Sequence, residues 1–124
     1  MFIKSNCIFL PSIIHIPESC VWRIELEKES ENGYDYCTLY LYVENKRFCL
    51  ADAEDLCSGR SCLPEWAVSD LYEDIIDTVA EKLENNSNLQ FIDIGALESE
   101  LIGTKYQEHW AKKGYITIDE NGHW

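Results

Sequence analysis

Between Pro64 and Glu84 the chain reads PEWAVSDLYEDIIDTVAEKLE, its longest unbroken periodic pattern. At 100° per residue, Val68, Leu71, Tyr72, Ile75, Ile76, Val79 and Leu83 fall within an arc of about 140°, which predicts an amphipathic helix with that stripe turned to a core. Asp70, Glu73, Asp74, Asp77, Glu81 and Glu84 fall within about 100° on the other side, as neighbours three and four residues apart. Trp66 projects at the same angle as Glu84. Its place among the carboxylates favours Ser69 as the N-cap, with 64–68 as a separate turn, because Asp70, Glu73 and Asp74 then lie in the opening turn where the helix dipole favours them. The other option is one continuous helix with Trp66 exposed beside the acids.

A stripe of this length needs an apolar layer opposite it. Cys20, Trp22, Ile24 and Leu26 alternate with Arg23, Glu25 and Glu27, the pattern of a half-buried strand. Asn32-Gly33 favours a tight hairpin turn. The next strand, 34–43, sets Cys37, Leu39, Leu41 and Val43 on one face and Tyr34, Tyr36, Tyr40 and Tyr42 on the other. Glu44-Asn45-Lys46 turns the chain into a third strand, 47–51, which completes an antiparallel meander. The helix covers one face of the meander; the tyrosine face is covered by C-terminal helices or left partly open for a partner. Before the meander, residues 2–16 read as one or two short strands at a sheet edge, where Pro11 and Pro17 are tolerated.

After the helix, 89–94 reads as a short strand, 96–102 and 104–113 as helical pieces divided at Gly103, and 115–118 as a final strand. Lys112, Lys113 and Gly114 form a helix stop. The expected fold is therefore a single α+β domain over 1–124. An antiparallel meander within 1–51 is packed by one long amphipathic helix at 64–85, with a smaller helical C-terminal part in 89–124.

Charge narrows the functional classes. The formal net charge is −13, from 23 acids and 10 bases. The stretch from Asp52 to Glu84 holds ten of those acids and two bases, Arg60 and Lys82, a local balance of −8. Such a field repels phosphate backbones and anionic membranes and attracts basic protein surfaces, so direct nucleic acid or membrane binding is not expected. No apolar run approaches the length of a membrane span. Lys4 precedes an apolar run, but Pro11 interrupts it and no small-residue cleavage site follows. The expectation is a cytoplasmic protein with the thiols of Cys7, Cys20, Cys37, Cys49, Cys57 and Cys62 reduced.

Chemistry-bearing motifs are scarce. His15, His109 and His123 stand in no nucleophile–base order, and the chain holds no nucleophile elbow, Gly-rich phosphate loop or metal-hydrolase motif. Cys57-x4-Cys62 with Cys49 upstream lacks a second ligand pair, so neither a metal nor a cofactor is expected. The chain reads as a non-enzyme.

The acidic face is the strongest candidate site. Asp70 to Glu84 spans about 21 Å of helix axis, close to the rise of about six base pairs, and no lysine separates the acids on that face. A row of carboxylates this long can imitate a phosphate strand and occupy a groove lined by lysine and arginine. Trp66 and the tyrosines Tyr36, Tyr40 and Tyr42 would add apolar anchoring.

With its one-signed helix at Asp70, Glu73, Asp74, Asp77, Glu81 and Glu84, this small acidic α+β chain resembles phage-encoded inhibitors of host nucleic-acid machinery, among them anti-CRISPR and anti-restriction proteins. The resemblance implies no catalysis, docking to a basic surface of a nucleic-acid-binding complex in the host cytoplasm, and blocked access for DNA or RNA. The alternatives are an immunity or antitoxin protein that neutralises a basic toxin, and a phage structural or assembly protein; oligomeric state is left open. The order of elements after Glu65 also resembles winged-helix modules, with Lys105, His109, Lys112 and Lys113 as a thin basic patch opposed by Glu108.

Overall fold

A computed structural model describes residues 1–7, 13–31, 34–52 and 64–116, with the side chains of 29–31, 34–36 and 65 outside the description. Two short strands, β1 (Phe2–Lys4) and β2 (Ile13–His15), precede the meander of β3 (Trp22–Glu31), β4 (Tyr34–Val43) and β5 (Lys46–Asp52). The helix α1 (Glu65–Asn85) follows, then β6 (Phe91–Asp93), α2 (Ile94–Leu101), a π-helical turn (Ile102–Tyr106) and α3 (Gln107–Lys112). The α+β architecture expected from the pattern is present: an antiparallel β3-β4-β5 sheet, one long helix on it, and a smaller helical C-terminal part.

Alternation in β4 sends Cys37, Leu39 and Leu41 to the interior, each fully buried. They meet Val68, Leu71, Tyr72, Ile75 and Val79 from the stripe of α1 in one continuous core. Burial of each such aliphatic side chain contributes roughly 1.5–3 kcal/mol, so this layer holds the meander and helix together. Ala67 and Ser69 are also buried, which widens the covered face over the first half of α1.

That burial corrects the expected N-cap. Pro64 is the N-cap, the helix runs unbroken from Glu65, and Ser69 lies inside it at 4% exposure. Packing of Ala67 and Val68 against the core outweighs the capping and dipole preferences that favour a start at Ser69. Trp66 is accordingly on the acidic side, half exposed, with its ring edge-on to Tyr115 at 5.7 Å.

A second sheet, in the order β2-β1-β6, was not expected from the sequence. β1 is its centre rather than an edge, paired antiparallel with β2 and parallel with β6. Ile14, Ile3 and Ile92 form its inner row, and Asn6 N–H donates to Leu50 O at 2.7 Å, linking this sheet to the meander. The parallel β1–β6 pair departs from the winged-helix order. Three local readings also change. The second hairpin has a two-residue turn, Glu44–Asn45, with Lys46 already in β5 and Glu44 at φ 53°. Gly103 does not divide two helices but sits in the π-helical turn that joins them. Tyr115 and Ile116 form a bend rather than a strand, and 117–118 lie outside the described residues.

β4 and β5 are offset by a bulge. Tyr40 pairs with Cys49 and Leu39 with Ala51, which leaves Leu50 as the extra residue.

Candidate protein-binding surface

The buried stripe of α1 fixes where its acids point. With Leu71, Ile75 and Val79 against the sheet, Asp70, Glu73, Asp77, Glu81 and Glu84 are exposed on the outer side. Among the described residues none of these five is in an ion pair. Like charges at i,i+3 and i,i+4 each destabilise a helix by a few tenths of a kcal/mol, a cost that interspersed lysines would relieve.

Asp74 is different. The π-helical turn carries Lys105 and Tyr106 beside α1, where the Lys105 ammonium lies 2.8 Å from Asp74 Oδ2 and the Tyr106 hydroxyl donates to the same oxygen. Burial works against the Asp74 charge, but the Lys105 and Tyr106 hydrogen bonds outweigh it, so its pKa lies below the ordinary carboxylate value. Tyr106 is pushed well above the ordinary phenol value, first by burial and then by the Asp74 carboxylate. The row of free acids is thus interrupted at Asp74, which acts as a clasp for the C-terminal part.

A pH dependence follows from the sign of that shift. A carboxylate with a depressed folded-state pKa contributes stability above its unfolded value, near 3.9, and loses it as pH falls through the folded value. Asp74→Asn is expected to cost about 1 kcal/mol at pH 7, with the gap to the parent protein closing in acid below about pH 4. Urea unfolding at pH 7 and pH 3 checks this. A gap equal at both pH values would mean the clasp owes nothing to charge.

On the other face of the meander, Tyr40 and Tyr42 lie 6.4 Å apart and are half-buried. Among the described residues it is arginine, not the C-terminal helices, that covers them: Arg23 stacks 4.3 Å from the Tyr42 ring and Arg47 4.3 Å from the Tyr40 ring. Tyr42 donates to Glu27, whose other oxygen accepts from Arg47 at 3.4 Å, and the Glu27 hydrogen bond raises the Tyr42 pKa. The side chain of Tyr36 lies outside the description. Because β4 sends its tyrosines away from α1, the acidic row and the tyrosine face are on opposite sides of the helix-on-sheet stack. Only Trp66, one turn before Asp70, accompanies the acids.

Sequence reasoning missed one exposed patch. Phe2 pairs with Phe91 across the parallel ladder and stacks on His15 at 4.8 Å, with both phenylalanines nearly half exposed. The signal was the alternation of each with a core isoleucine, Ile3 or Ile92, in strands too short for the pattern to stand out. Among the described residues no helix is long and apolar enough to cross a membrane. No family model, curated protein or solved structure matches this chain, so its surface chemistry must carry the functional reading.

Proposed function

We propose that the chain is a non-enzymatic inhibitor that lays the outer face of α1 on a basic, nucleic-acid-binding surface of a host protein or defence complex. Nucleic acid is then excluded by competition for the same lysines and arginines. One observation carries the reading: Asp70, Glu73, Asp77, Glu81 and Glu84 stand exposed in a row on a helix whose opposite side is locked in the core. A fixed array of charge loses little entropy on docking, and one-signed fields steer association with a basic partner. Trp66 at the head of the row supplies a large, half-exposed aromatic surface for anchoring. The action is in the cytoplasm of the host cell, consistent with anti-CRISPR-like or anti-restriction-like inhibition.

The test is capture from host lysate by the parent protein and by the variant D70K/E73K/D77K, with retained proteins identified by mass spectrometry. A nucleic-acid-binding complex retained by the parent alone, and released by added DNA or RNA, is the expected result. Retention of one partner by both proteins would reduce the row to a solvated face. Capture of a basic toxin instead would select the immunity reading.

A further inference from the structure

We infer that Cys7, Cys49 and Asp52 form a binding site for a thiophilic divalent cation of the zinc class. Their sulfur and carboxylate atoms all lie within 4.8 Å of one another. Two features of the backbone bring them there. Cys49 and Asp52 are three apart on β5 and would face opposite ways in a regular strand, but the extra residue Leu50 restores them to one face, opposite Tyr40 and Thr38. Cys7 comes from the segment that follows β1, held in place by the adjacent Asn6 N–H to Leu50 O bond. Bulges commonly re-aim side chains in this way beside functional sites.

The donor set suits the ion. Two thiolates and a carboxylate are normal zinc ligands, and water supplies the fourth position of an open tetrahedral site. Cys7 is buried and the other two are half-buried, so the ion would be shielded on the protein side. The sulfurs stand 2.9 Å apart, and bonds of about 2.3 Å to a tetrahedral zinc would place them about 3.8 Å apart, an opening of less than about 1 Å. Binding forms two metal–sulfur bonds and one metal–oxygen bond, releases the two thiol protons to solvent, and changes no oxidation state. The fold brings Cys49 to Cys7, 42 residues away; Cys57 and Cys62, which sequence spacing grouped with Cys49, lie outside the described residues.

The experiment uses the full chain, reduced and stripped with chelator under anaerobic conditions, titrated with Co²⁺ alone. Thiolate-to-cobalt charge-transfer bands and tetrahedral visible bands are expected, saturating at one equivalent and bleached by Zn²⁺. C7S/C49S loses both sets, while D52N keeps the thiolate bands and binds at least about tenfold more weakly, since even the loss of a hydrogen bond to a metal-ligating side chain costs that much. Absence of the bands in the reduced parent protein overturns the assignment, whatever the variants do. So do bands that persist in C7S/C49S. A Cys7–Cys49 disulfide in the oxidised chain, with no cobalt bands after reduction, would make the pair a redox couple instead.

Discussion

Replacing Trp110 with alanine is expected to cost about 3–5 kcal/mol, a large part of the 5–15 kcal/mol that holds a domain of this kind together. Trp110 is the largest fully buried side chain among the described residues, at 1% exposure, and it is the point at which α3 enters the core. Its ring stacks on Tyr106 at 4.8 Å, and Tyr106 in turn reaches Asp74 on α1. Truncation therefore removes core volume and the platform that holds the clasp. Two readouts separate these effects: the urea midpoint reports the cavity, and the Asp74 carboxyl resonance should titrate closer to an ordinary carboxylate once Tyr106 is loose. Trp66→Ala is the control, since Trp66 is half exposed and has one edge-on neighbour, Tyr115. It should cost about 0.5–1.5 kcal/mol. A loss below about 1 kcal/mol in Trp110→Ala would mean that the C-terminal helices decorate the core rather than complete it.

The parts of the fold that could be read from sequence are those whose pattern repeats many times within one element. α1 repeats its stripe over 21 residues, and β3 and β4 alternate over ten each, so both the helix and the meander announce themselves. β1 and β6 are three residues long and lie almost ninety positions apart, each with a single buried residue. Nothing local says that Ile3 and Ile92 will lie side by side. Register is a different case. The pairing of Tyr42 with Arg23 on one side and Arg47 on the other follows from the registers that set Glu31 opposite Tyr34 and Val43 opposite Lys46. Reading the second turn as three residues conceals the placement of Arg47, which lies over Tyr40. Ser69 shows local preference yielding to tertiary packing: its hydroxyl and the acids after it fit a helix start, but Ala67 and Val68 before it are needed in the core. The acidic row itself was fully legible. What the sequence could not show is that Lys105, 31 residues downstream, takes Asp74 out of it.

That distinction sharpens the expected behaviour of D70K/E73K/D77K. In the parent helix the six acids make six like-charge pairs at i,i+3 or i,i+4: 70–73, 74–77, 81–84, 70–74, 73–77 and 77–81. The three substitutions turn 70–74, 74–77 and 77–81 into attractive pairs and leave the others repulsive. With each pair changing by a few tenths of a kcal/mol in each direction, the variant should be about 1 kcal/mol more stable than the parent. None of the three positions contributes to the buried stripe, so the core is untouched. Affinity for the partner should fall at least about a hundredfold, because reversed charges repel the basic surface that the originals attract. A rise in stability joined to a loss of binding cannot be explained by misfolding. It would identify the acidic row as a feature kept for recognition at some cost to the fold, in line with the general conflict between stability and function at binding surfaces. Calorimetry with the captured partner and urea unfolding of the same preparation decide the matter together. Unchanged affinity with raised stability would show that the row is a tolerated accident of composition, and attention would pass to the Phe2–Phe91 patch and the tyrosine face.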